Sequence, residues 1–121
     1  ALERTPSALG RPIATLPSIQ RQIGEMDVVL SAARALLLEV AGEWAGAGDR
    51  AAFMARVAAA KVAVTTAAHE ATAKALQVAG GAGITRALPL ERYFRDVRPA
   101  AMQPPAGDTA YEMVGRAALR L

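Results

Sequence analysis

An all-α fold follows from three features of the chain. Apolar residues recur at alternating four- and three-residue steps over two long stretches, the repeat of one helix face. No segment sustains the apolar–polar alternation of a half-buried strand. Prolines and clustered glycines fall between the periodic stretches. The 121 residues amount to one small domain. Two long antiparallel helices joined by a tight turn, with shorter helices after them, are therefore expected.

Residues 1–17 are punctuated by Pro6, Gly10, Pro12 and Pro17, which resist a continuous helix. They read as the tail of a helix at Leu2-Glu3-Arg4, then a loop. Residues 18–44 read as a long helix with an apolar stripe at Ile19, Ile23, Met26, Leu30, Ala33, Leu37, Val40 and Trp44. Ser18 is placed to cap its start. Val28, Val29, Leu36 and Leu38 lie off that stripe, so the helix is expected to be covered on more than one side. In a chain this short that cover must come from outside, and self-association is expected.

Gly46-Ala47-Gly48-Asp49 reads as the turn, with Asp49 as N-cap of a second helix over residues 50–79. Its stripe is Phe53, Val57, Ala60, Val64, Ala67, Ala71 and Val78. A face this rich in alanine lets helix axes approach closely but buries little area per residue. Gly80-Gly81-Ala82-Gly83 ends the helix, because glycine tolerates the positive φ of a C-terminal turn. Pro89 suits the first turn of a short helix through about residue 96. Pro99, Pro104 and Pro105 enforce a loop, and Asp108 or Thr109 is expected to cap a last helix running to Leu121.

Composition removes several kinds of chemistry. Hydrophobic residues make up 53% and aromatics 4%, and 30 residues are alanine. The absence of cysteine excludes a disulfide scaffold, a thiolate metal site and a cysteine nucleophile. A single histidine, His69, excludes a multi-histidine metal site and leaves no Ser-His-Asp set. His69-Glu70 lacks the second histidine a zinc-protease helix needs four residues on, where Ala73 stands. The net charge of +3 comes from 12 arginines and two lysines, Lys61 and Lys74, spread along the chain. A nucleic-acid surface would be denser and interleaved with aromatics, so none is expected. No uninterrupted apolar run approaches 18 residues, and the first residues do not read as a signal peptide, so a cytoplasmic protein without a membrane span is expected.

Two segments remain as candidates. A phosphate loop needs a strand before its glycines and a helix after them, whereas a helix precedes Gly80-Gly81-Ala82-Gly83. Three glycines in four residues still exceed what a helix end requires, and the surplus permits close approach by another backbone or a ligand. Glu91-Arg92-Tyr93-Phe94-Arg95-Asp96-Val97-Arg98 surrounds an aromatic pair with charge, for ion pairs or for anion capture by arginine.

The run Ala75-Leu76-Gln77-Val78-Ala79-Gly80-Gly81-Ala82-Gly83-Ile84-Thr85, followed by Pro89-Leu90-Glu91-Arg92-Tyr93-Phe94-Arg95-Asp96, resembles the acyl-CoA dehydrogenase family. Ala1-Leu2-Glu3-Arg4 before Gly10-Arg11-Pro12-Ile13 continues the likeness, as do the Gln, acid-Met and Ala-Ala-Arg positions of residues 18–37. The resemblance implies an FAD-dependent oxidoreductase that dehydrogenates acyl-CoA thioesters and passes electrons to an acceptor. Residues 1–121 would be the C-terminal up-and-down four-helix bundle, its first helix largely missing, of a longer chain with N-terminal and middle domains. It implies a homo-oligomer, dimer or tetramer, joined through the bundles, each bundle contributing to a neighbour's flavin.

The same resemblance implies particular roles. Arg4 matches an arginine on the flavin pyrophosphate of the adjacent subunit. Gln77, Gly80 and Gly81 match residues lining the adenosine and pyrophosphate portion, and Thr109 matches a threonine that touches FAD. In most members a glutamate two residues before that threonine takes the α-proton of the thioester; here that position is Gly107. Asp108 is the only carboxylate nearby, with capping as its expected job. The base then sits upstream, or the protein is a non-catalytic assembly subunit, or it belongs to the flavin monooxygenase-like branch that needs no such base.

Overall fold

The computed structural model describes residues 1–121 and is helical, with no strand. Helices α1 (Pro17–Gly46) and α2 (Arg50–Ala79) run antiparallel, followed by α3 (Leu90–Asp96) and α4 (Gly107–Leu119). Short 3-10 turns at Ile13–Thr15, Gly80–Ile84 and Arg98–Ala101 fill the connections. At the start of the chain Leu2 and Glu3 form a single turn, closed by the Arg4 N–H on the Ala1 carbonyl at 3.2 Å. Its backbone is pinned by the N–H groups of Ile13 and Ala14, which donate to Arg4 and Leu2.

The start of α1 differs from expectation. Pro17 occupies the first turn and Leu16 the cap position, with no side-chain cap, so Ser18 lies inside the helix. Proline's fixed φ favours the first helical position and moves the boundary one residue earlier. Asp49 does cap α2, its Oδ1 accepting from the N–H groups of Ala51 at 3.0 Å and Ala52 at 3.2 Å. Trp44 and Phe53 meet across the turn with ring centroids 6.0 Å apart, and the Arg50 guanidinium lies 5.0 Å from the Trp44 ring. At α4 neither Asp108 nor Thr109 caps; Ala106 holds the cap position and Asp108 sits in the first turn, where its charge favours the helix dipole. The helix ends at Leu119, because Arg120 adopts a left-handed conformation at φ 57°.

Helix α2 is the centre of the molecule. One face carries the expected stripe, with Ala60, Ala67, Ala71 and Val78 buried. A second face, outside that stripe, carries Ala58 and Val62, which close with Ala110 of α4 into a core bordered by Met113 and Val114. Alanine on nearly every side makes this possible, since small side chains admit neighbours all round the helix. Against the expectation that no stretch could cross a membrane, Arg50–Ile84 is long and apolar enough to do so by length and composition, its most apolar 18 residues having a mean hydropathy of 1.3. Alanine and valine keep the average high despite Arg56 and Lys61, and both charges are engaged within the bundle. Arg56 bridges Glu39 at 2.6 Å and Glu43 at 3.2 Å on α1, and Lys61 donates to the Pro105 carbonyl at 2.8 Å.

Only 12 of 121 residues are buried, all but one of them alanine, valine or isoleucine, the exception being Gly83. Beside this thin core an apolar groove of about 570 Å³ runs between the helices, walled by Leu37, Val40 and Trp44 of α1 and Met54, Val57 and Val64 of α2.

Candidate functional site

The glycine cluster divides into separate jobs. Gly80 ends α2 at φ 61°, ψ −144°, a region open essentially to glycine, while its N–H donates to the carbonyls of Gln77 and Leu76. Gly83 is buried, and a Cβ there would stand 3.0 Å from the Ala79 Cβ and 3.1 Å from the Leu76 carbonyl oxygen. Packing within the chain therefore requires glycine at 83. Gly81 has no such reason: it is exposed, its φ is ordinary, and a Cβ there would meet nothing within 4 Å.

Arg4 lies over this turn. A Cβ on Gly80 would stand 3.8 and 3.9 Å from the two terminal nitrogens of the Arg4 guanidinium. Arg4 is exposed and has no carboxylate within 4 Å, although five ion pairs form elsewhere. Gln77 is exposed one turn before Gly80, and its side chain makes no hydrogen bond within the chain. An unpaired guanidinium and bare glycine backbone thus meet at one end of the molecule, with the Gln77 amide one helical turn before them on α2. Such a set suits an oxyanion, because the fork donates to two oxygens and glycine lets it come close.

Thr109 is not part of this group. Ala110 beside it packs on Ala58 and Val62. Eighteen helical steps from Val62 to Gly80, at 1.5 Å each, separate the two places by roughly 27 Å. Gly107, Asp108 and Thr109 are gathered at the start of α4, where Asp108 and Thr109 are exposed and Gly107 has open space around its Cα.

Other marked residues serve the fold. His69 is half-buried on α2, with Nε2 2.7 Å from the Val97 carbonyl oxygen, tying α2 to the end of α3. The charged run over residues 91–98 is largely spent on local contacts. Arg95 pairs with Glu91 at 2.7 Å, Arg92 lies 5.4 Å from the Tyr93 ring and Arg98 3.9 Å from the Phe94 ring. Glu39 and Glu43 form the clasp on Arg56, which holds that guanidinium more firmly protonated, Glu39 contributing first.

Both lysines, unmarked by any motif in the sequence, have specific work. Lys61 holds the loop that leads to Gly107. Lys74 bonds Glu25 across the α1–α2 junction, with Arg21 on the same carboxylate at 2.6 Å. The Lys74 hydrogen bond, and then the charges of Lys74 and Arg21, hold the Glu25 carboxyl below the usual carboxylate range against partial desolvation. This cluster lines a polar groove that includes Gln77. The available signal was scarcity: two lysines beside 12 arginines.

The sequence profile of the acyl-CoA dehydrogenase C-terminal domain matches residues 1–118. A Bacillus subtilis (strain 168) protein, YdbM, which bears an acyl-CoA dehydrogenase name, is 36% identical over 108 residues, 89% of this chain and 28% of that protein. The 3-sulfinopropanoyl-CoA desulfinase of Paraburkholderia xenovorans (strain LB400) is 39% identical over 89 residues, 74% of this chain and 22% of that enzyme. A solved chain from work on the electron transferring flavoprotein of Acidaminococcus fermentans superposes with a TM-score of 0.87 at 28% identity, over 98% of this chain and 30% of its own length. The chain thus spans about a quarter of the length of the curated relatives it matches. With a helical fold shared over its whole length and a profile match that leaves out only the last residues, the chain belongs to the acyl-CoA dehydrogenase family, as its C-terminal helical domain.

Proposed function

We propose that this chain is the C-terminal bundle of a cytoplasmic, FAD-dependent acyl-CoA dehydrogenase-like oxidoreductase, and that it supplies flavin contacts and an oligomer interface. The observation that carries the reading is the unpaired Arg4 guanidinium over Gly80, beside the open backbone of Gly81 and the free amide of Gln77. The flavin diphosphate fits that chemistry: Arg4 offers parallel donors to phosphate oxygens, Gln77 a further donor, and Gly80 and Gly81 admit the chain of phosphates. Bound FAD supplies the acceptor for a hydride from the β-carbon of an acyl-CoA thioester. Thr109, roughly 27 Å away along α2, would contact a different flavin from the one held by Arg4. An oligomer in which each bundle serves two flavins satisfies both placements. Gly107 has no group to take a proton, and the one carboxylate among residues 103–109 is Asp108, exposed in the first turn of α4 one residue after the base position.

Arg4→Ala in the complete protein is expected to weaken FAD binding at least tenfold, or ~1.4 kcal/mol, by titration of the apoprotein. Unchanged flavin affinity with unchanged assembly would remove the assignment.

A second reading has the complete protein act on an acyl-CoA thioester without oxidising the Cα–Cβ bond. Gly107 at the base position favours it, as does the 39% identity to a desulfinase. Turnover of an acyl-CoA panel with an electron acceptor separates the two: robust reduction of the acceptor excludes the second reading.

A further inference from the structure

The outward side of α1 carries a second seam. Gly24, Val28, Ser31, Ala35, Leu38 and Gly42 follow one another at alternating steps of four and three residues, uncharged and all exposed. Val28 is 67% and Leu38 59% exposed. Side chains repeating at this spacing keep one line facing a neighbouring helix, and small residues on the line let the two axes come close. On one edge stand Asp27 and Arg34, two turns apart, both exposed and neither ion-paired within the chain.

We infer that a second copy of this chain covers the seam, its α1 lying antiparallel across this one about a two-fold axis midway between residues 30 and 31. The register is set by two independent features that coincide. In an antiparallel pair about that axis, Asp27 lies level with the partner's Arg34, and Arg34 with the partner's Asp27, so one unpaired acid and one unpaired base make two symmetric ion pairs. In the same register Leu38 comes beside the partner's Gly24, and Val28 falls between the partner's Ser31 and the partner's Ala35. Each large side chain then faces a small one. Space is open at Gly24, where a Cβ would meet nothing within 4 Å. On the other edge Glu25 and Glu39 come nearest across the axis. Each is already neutralised in its own chain, Glu25 by Lys74 and Arg21, Glu39 by Arg56.

This inference rests on the homo-oligomer of the proposed function and names the helix, direction and register by which two copies meet. The test is sedimentation velocity of the complete protein over a dilution series, with Asp27→Arg, Arg34→Asp and the double exchange. Each single reversal places like charges opposite each other and is expected to weaken the association about tenfold or more. The double exchange restores opposite charges and is expected to return within a few-fold of the wild type. Leu38→Asp, at an exposed site that leaves the fold intact, is expected to weaken it at least as much. A wild-type monomer at every concentration would overturn both the oligomer reading and this one. An oligomer indifferent to the single reversals and to Leu38→Asp would overturn the seam alone. A double exchange as weak as the singles would overturn the register.

Discussion

Three neighbouring glycines give three different predictions. Gly83→Ala forces a Cβ against the Ala79 Cβ and the Leu76 carbonyl, and is expected to cost about 1–3 kcal/mol by overpacking. Gly80→Ala is expected to cost a similar ~1–3 kcal/mol through backbone strain at φ 61°. Gly81→Ala is expected to leave stability unchanged, because nothing lies within 4 Å. Urea denaturation of the three variants checks the order, and an equal cost at Gly81 would contradict the open backbone. Glu25 adds a pH dependence. Its carboxyl titrates lower when folded than when unfolded, so the unfolded chain binds the proton more readily and stability rises with pH. Its contribution is present above the ordinary glutamate pKa and is lost as pH falls through the lowered folded value. The stability gap between wild type and Glu25→Gln should therefore narrow on acidification, as read by unfolding at a series of pH values.

Among the helices, α2 determines the arrangement. Its Asp49 cap satisfies two first-turn N–H groups, so Asp49→Ala is expected to cost about 0.5–2 kcal/mol in chemical denaturation. The second face of α2 is closed by Ala110, which like Ala58 is fully buried. Ala110→Leu is expected to lift α4 away, because the interior has no room for three more carbons. Proteolysis should then cut near residues 103–107 sooner than in the wild type, and equal cleavage rates would show that the α2–α4 contact is loose. Lys61 reinforces that junction from the loop side, so the placement of Gly107 depends on two contacts rather than one.

For the bundle taken as a unit, the thin core governs behaviour. Twelve buried residues leave Leu30, Leu37, Val28, Leu38, Ile84 and Met102 in contact with water. Surface of that kind is normally covered by other protein. The 121-residue chain on its own is therefore expected to bind a hydrophobic dye such as ANS and to do so less as its concentration, and hence its association, rises. Dye binding as low as that of an ordinary globular monomer would mean that the grooves are closed in solution.

Local physics was enough for much of this. The span of α2, the Asp49 cap, the helix end at Gly80 and the short helix after Pro89 depend on periodicity, hydrogen bonds within a turn and allowed φ values, all carried by neighbouring residues. The grouping of Gln77, Gly80 and Gly81 is of another kind: the family resemblance implies it, and local physics supplied only the helix end at Gly80. What the sequence could not decide depends on atoms distant along it. That Gly83 is required by packing while Gly81 is open, that Arg4 rests over Gly80, and that Thr109 stands apart from them all follow from where tertiary contacts bring the chain. The second face of α2 is the plainest case: alanine fits a buried or an exposed position almost equally well, so only the approach of α4 decides which alanines form the core.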